Sequence, residues 1–176
     1  MSLFKSEVPS TADRVEWKQT NFLNLHQVLH TSQSLTHSLP RLDCIWCNAG
    51  IGTAPQMKSD EGLDGHFTLN HLAHYVLLKQ LLPLVRKTAR EHGEARVVFT
   101  SSSLHATAPS GVKFDSKEEI NEDLGPNNLY ARSKLANLLY ARYLAKEVAN
   151  EPVYINAIHP GAVKTGIPSF PFVFPK

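Results

Sequence analysis

Three short apolar runs, each emptying into small polar residues, constrain this chain most. They are Leu42 to Cys47 (LDCIWC) ahead of Asn48-Ala49-Gly50, Arg96 to Thr100 (RVVFT) ahead of Ser101-Ser102-Ser103, and Val153 to Ile158 (VYINAI) ahead of His159-Pro160-Gly161. Mostly apolar runs of this length read as strands covered on both faces. Long amphipathic stretches separate them. Asn24 can cap a helix running to about Leu39, with Leu25, Val28, Leu29 and Leu35 at helical spacing, and Pro40 stops it. Gly62 to His92 carries Phe67, Leu72, Leu78, Leu82 and Val85 on a second helix, bent at Pro83 and ended by Gly93. Asn128 to Ala149 makes a third. Arg14 to Gln19 (RVEWKQ) alternates Val15 and Trp17 with charged neighbours and reads as a strand ahead of all of these. Residues 104–126 form a loop without a strong period.

The order is therefore β-α-β-α-β-α-β. Strands alternating with helices imply parallel pairing through right-handed crossovers, hence an α/β fold. In such sheets ligands sit beyond the carboxyl ends of the strands. The three polar loops should thus open onto one rim.

Composition narrows the function. The chain has 176 residues, 42 % of them apolar and 19 % charged, which suits one folded domain, residues 1–176, and excludes a disordered chain. Its 18 basic and 16 acidic residues leave a net charge of +2, too small for a nucleic-acid or anionic-membrane footprint. No run approaches the ~20 apolar residues that span a bilayer, and MSLFKSEVPS lacks a signal-peptide core. Two cysteines suit a reducing compartment. The expectation is a soluble cytoplasmic protein with no transmembrane segment and no nucleic-acid partner.

Chemistry concentrates at the loops and on the third helix. Tyr130 and Lys134 stand at i and i+4, on one face. A nearby ammonium would make the phenol more acidic, by up to ~3 pKa units at close range, and so a usable proton donor. Serine hydroxyls at 101–103 could polarise a carbonyl oxygen. Asn70 sits in mid-helix among apolar neighbours, where asparagine competes with the backbone; it could hold a water or distort the helix. Cys44 and Cys47 form a Cys-x-x-Cys, but a strand turns i and i+3 to opposite faces, so it reads as structural. His66, His71 and His74 cluster without an HExxH, so no metal site is expected. No Gly-x-Ser-x-Gly elbow is present, which speaks against an α/β-hydrolase. Gly50-Ile51-Gly52 is followed by Pro55 where a dinucleotide fingerprint needs its third small residue.

Taken in order, these elements resemble the short-chain dehydrogenase/reductase family, over roughly residues 14–167. They are Asn48-Ala49-Gly50 after a strand, Asn70 in the next helix, Ser101-Ser102 after the next strand, Tyr130-x-x-x-Lys134, and Pro160-Gly161-x-x-x-Thr165. The phrase YARSKLANLL is most similar to the retinol-dehydrogenase-like, NADP-preferring branch. The resemblance implies a Rossmann-like, doubly wound parallel sheet and reversible hydride transfer between NADP(H) and a small-molecule carbonyl/alcohol pair. It implies Tyr130 as proton donor, Lys134 lowering its pKa and holding the nicotinamide ribose, Ser102 orienting the substrate oxygen, and Asn70 holding a relay water. Asn48, Ala49 and Gly50 would line the adenosine side, with Asn21 near the adenine where the family has Asp. Pro160, Gly161, Val163 and Thr165 would meet the nicotinamide end. A homo-oligomer is left open.

The chain departs from the family pattern as well. Cys47 stands where a first Asn is usual. The first β-α-β unit with its Gly-rich phosphate loop has no counterpart, nor has the last strand, so the expected sheet is incomplete. Strand 14–19 would then lack a neighbour and strand 42–47 would show an unpaired edge. The alternative reading is thus a catalytically inactive fragment without the phosphate-binding loop.

Overall fold

The computed structural model describes residues 14–161. Helix α1, Leu25–Ser38, begins where expected: the Asn24 side chain accepts from Gln27 N at 2.8 Å. It leads into strand β1, Cys44–Cys47. The long helix α2 starts at Gly65, capped by the Asp64 carboxylate. It runs through a π-turn at Thr68–Leu72 and continues as Ala73–His92. Pro83 lies inside the regular α stretch, and the irregularity falls at the π-turn. Gly93 closes the helix at φ 99°, a conformation glycine adopts at no steric cost. Strand β2 is Ala95–Thr100, and β3 is Val153–Ile158.

The stretch 104–126 is more ordered than its sequence suggests. It holds a 3-10 turn at Ser103–Thr107 and helix α3, Lys117–Asn121. Neither repeats an apolar period, because each is fixed by a cap: Ser102 for the first and Ser116 for the second. Helix α4, Pro126–Glu147, opens with proline in its first turn, where a missing N–H costs nothing.

The described sheet has three parallel strands in the order β1-β2-β3, with Cys44 opposite Arg96 and Ala95 opposite Val153. One face is closed. Ile45, Val97 and Phe99 pack there against Leu78 and Val85 of α2 and Leu144 of α4.

Two expectations fail. Residues 14–19 form no strand: among the described residues this stretch pairs with no other backbone, and Trp17 is 70 % exposed. Alternation alone cannot make a strand without a ladder to join. Nor, among the described residues, are the strands covered on both faces. Burial alternates along β1, leaving Cys44 and Trp46 outward, and Tyr154 of β3 is likewise exposed. The core helices all pack on the opposite face. Among the described residues, no helix is long and apolar enough to cross a membrane.

Candidate functional site

The three strand-end loops do open onto one rim. A cavity of about 420 Å³ lies there, lined by Asn48, Gly50, Ile51 and Gly52 after β1, and by Thr100, Ser101 and Ser102 after β2. Tyr130 and Lys134 of α4 and His159, Pro160 and Gly161 after β3 complete it. Of the expected site residues, Asn48, Gly50, Ser102, Tyr130, Lys134, Pro160 and Gly161 meet in this space. Asn70 stands directly behind it. Asn21 does not line it: it is exposed in the turn ahead of α1, where its Oδ1 accepts from Leu23 N at 3.0 Å. Val163 and Thr165 lie outside the described residues.

Helix α4 presents Lys134 from the buried side of the cavity. Its Nζ donates to Thr100 O at 2.9 Å, and Ser101 Oγ donates back to Lys134 O at 2.9 Å. Burial of the ammonium lowers its pKa to about 8. The electrostatics of Tyr130 correct the expectation. Burial raises its pKa, and a hydrogen bond with Ser102 only partly offsets this. The Lys134 ammonium sits 5.5 Å from the centre of the phenol ring and donates to Thr100 O, and burial of the phenol decides the direction of its shift.

Ser102 is buried and caps the 3-10 turn, with its Oγ accepting from Leu104 N at 3.3 Å. That cap fixes the hydroxyl beside Tyr130. Asn48 Oδ1 accepts from Thr100 Oγ1 at 2.8 Å, tying the first loop to β2. The Ala49 carbonyl meets His74 Nε2 at 2.8 Å. Gly50 lets the backbone pass close: a Cβ there would lie 3.0 Å from Asn70 Oδ1 and 3.5 Å from Lys134 Nζ.

Asn70 is fully buried in the π-turn, so it does distort its helix. Its Oδ1 accepts from Ile51 N at 2.7 Å. Its Nδ2 donates to Ile51 O at 3.1 Å and to Ser133 Oγ at 2.9 Å. Both amide hydrogens are thus spent on the protein, and the side chain has no donor left for a relay water. Each histidine of the cluster has one ring nitrogen against a protein oxygen. His66 Nε2 meets Gly52 O at 3.1 Å and His71 Nδ1 meets Asn137 Oδ1 at 3.0 Å. Cys44 is exposed and Cys47 buried, both unpaired, as a strand dictates.

Sequence reasoning did not select Thr100, His74 or Asn137. Two of them had a visible signal: His74 follows Asn70 by one turn, and Asn137 follows Lys134 by three residues on the same face.

The known proteins to which the chain is similar include oxidoreductases. Residues 10–172 match a family model described as enoyl-(acyl carrier protein) reductase. The chain is 45 % identical over 161 residues to a Neurospora crassa protein bearing the name oxidoreductase bli-4, mitochondrial, covering 88 % of this chain and 39 % of that one. It is 34 % identical over 152 residues to human retinol dehydrogenase 14, covering 85 % and 43 %. The Pseudomonas aeruginosa RhlG/NADP active-site complex superposes with a TM-score of 0.60 at 26 % identity, covering 82 % of this chain and 52 % of that one. The chain thus spans about two-fifths of the length of these curated relatives.

Proposed function

Because this chain belongs to the short-chain dehydrogenase/reductase family, as a retinol-dehydrogenase-like member, we propose that it transfers hydride reversibly between NADP(H) and a small carbonyl/alcohol pair. The observation that carries this reading is the convergence of Ser102, Tyr130 and Lys134 on one rim cavity with Pro160 and Gly161. The residues present fit a nicotinamide cofactor there. The backbone at Gly50 leaves room where any side chain would meet Asn70 and Lys134. Asn48 and Ala49, with Asn21, would serve the adenosine side, and Pro160, Gly161, Val163 and Thr165 the nicotinamide end.

A bound nicotinamide cofactor supplies the hydride. The protein supplies proton handling and orientation. Tyr130 Oη gives its proton to the carbonyl oxygen on reduction and recovers it on oxidation. Its raised pKa keeps it protonated at neutral pH, ready to donate. Ser102 Oγ donates to the same oxygen and steadies the charge that develops on it. Lys134, held by Thr100 O, offers its remaining hydrogens to the ribose. Asn70 braces the Gly50-Ile51 backbone against α4. Support for NADP over NAD comes from the YARSKLANLL phrase and from the RhlG/NADP relative. A cytoplasmic location belongs to the same reading, supported by the two unpaired thiols.

Titration with NADPH, followed by fluorescence with NADH as control, tests the proposal. Saturable micromolar binding is expected, with Tyr130→Phe retaining binding and losing turnover. No binding at all would favour the inactive-fragment reading. Full turnover in Tyr130→Phe would remove Tyr130 from the mechanism.

A further inference from the structure

The π-turn at Thr68–Leu72 exposes a backbone oxygen to the catalytic helix. Asn137 Nδ2 donates to Asn70 O at 2.8 Å, across from α4 to α2. The other arm of the same amide, Oδ1, lies 3.0 Å from His71 Nδ1. Since Nδ2 is the donating arm, Oδ1 must accept, so the network assigns the hydrogen of His71 to Nδ1. Burial pushes the His71 pKa down to about 4, which keeps the ring neutral. Asn137 and Asn70 are each no more than 1 % exposed.

The network continues toward the chemistry. Asn70 Nδ2 donates to Ser133 Oγ, and Ser133 Oγ donates to Tyr130 O at 2.7 Å. Asn70 Oδ1 holds Ile51 N in the loop below Lys134. One hydrogen-bonded path thus runs from His71 through Asn137 and Asn70 to the backbone of Tyr130. An asparagine in mid-helix gains nothing from propensity, and an apolar residue of similar size would fill the volume. What asparagine adds is a donor and an acceptor on opposite arms.

We propose that Asn137 is a positioning residue. By holding the Asn70 carbonyl it fixes the π-turn, and through it the side chain that sets the Gly50-Ile51 loop against Tyr130 and Lys134. The catalytic consequence rests on the reading of Tyr130 and Lys134 given above; the structural link does not.

Asn137→Asp is the discriminating variant. It keeps the size and the acceptor arm for His71 but turns the donor arm into a second acceptor facing Asn70 O. Protonating that carboxyl restores a donor. The titratable groups around it are His71 and His74 on α2 and Tyr130, Lys134 and Tyr140 on α4. Burial lowers both histidines and the lysine and raises both tyrosines. Leaving a buried acceptor unmatched should lower kcat roughly tenfold to a hundredfold at pH 7.5, with KM for the carbonyl substrate nearly unchanged. Relative to the parent at the same pH, part of this loss should recover toward pH 5.5. Asn137→Leu should show the loss without the recovery. Parent-like turnover of Asn137→Asp at every pH overturns the proposal.

Hydrogen exchange on the cofactor-free chain separates the two readings. A parent without turnover would sink the oxidoreductase reading alone. The positioning role would then stand if Asn137→Asp exchanges the amides of residues 68–73 at least about tenfold faster than the parent at pH 7.5, with the excess shrinking toward pH 5.5. Equal exchange in the two chains overturns it, as does an Nε2-protonated His71 in the nitrogen spectrum of the parent.

Discussion

At the scale of single residues, the site depends on one missing side chain as much as on those present. Gly50 faces Asn70 Oδ1 so closely that a methyl group would need a small shift of that oxygen, and it would also touch Lys134 Nζ. Gly50→Ala should therefore weaken NADPH binding several-fold, while its thermal midpoint stays within a few degrees of the parent, since the loop lies at the rim. Fluorescence titration beside a melting curve checks both. The cysteines differ as sharply. Cys47 is buried and its thiol pKa is pushed up to about 12, whereas Cys44 is exposed. In the native chain one thiol should react quickly with an aromatic disulfide reagent, and the second only after denaturation. A second fast thiol would mean that the closed face of the sheet opens. The Tyr130-Lys134 spacing and the serine loop were legible because they are local to one helix and one strand end. The Lys134-to-Thr100 bond was not, since it joins residues that only the fold brings together. Burial of the phenol, likewise a product of the fold, is why it is less acidic than its neighbour suggests.

Elements show the same division. Helices α1, α2 and α4 were legible from apolar spacing, caps and stops, and β1 to β3 from their short runs. The stretch at residues 14–19 misled because alternation says nothing about whether a partner strand is present. The π-turn was hinted at only by an asparagine in mid-helix. One buried charge was not legible at all. Arg132 of α4 is fully buried and donates to Glu119 O at 2.7 Å and Ile120 O at 2.6 Å, holding the end of α3. Its guanidinium lies 3.8 Å from the buried Asp64 carboxylate that caps α2. Arg132→Met removes these donors and leaves Asp64 without a counter-charge. A loss of about 3 to 5 kcal/mol is expected. Urea unfolding measures it, and Asp64→Asn in the same background should recover part of it.

On the scale of the whole molecule, the sheet has, among the described residues, a dry face and an open one. Trp46 and Tyr154 stand on the open face, and β1 has a free edge among the described residues. Trp46→Lys should therefore reduce binding of an apolar dye without lowering the thermal midpoint by more than a few degrees. Stability should also respond to pH through Lys134. Its folded pKa, about 8, lies below its unfolded value of 10.5, so between these values the unfolded chain holds more protons. Stability should rise with pH from 7.5 to 9.5, drawing on about 3 kcal/mol of desolvation cost present below pH 8. Lys134→Met should flatten that rise in urea midpoints. Helix α2 serves both layers at once. Its first turns, with Phe67 and Asn70, face α4 and the rim; its later turns, with Leu78 and Val85, face the sheet. Each residue advances a helix by about 100°, and the π-turn accommodates one residue more than regular winding allows. The turn therefore acts as a phase adjuster between two gears. Deleting a single residue within it would leave every later turn seated in the core and rotate the rim-facing turns out of mesh. At this point of the chain, the number of residues matters as much as their identity.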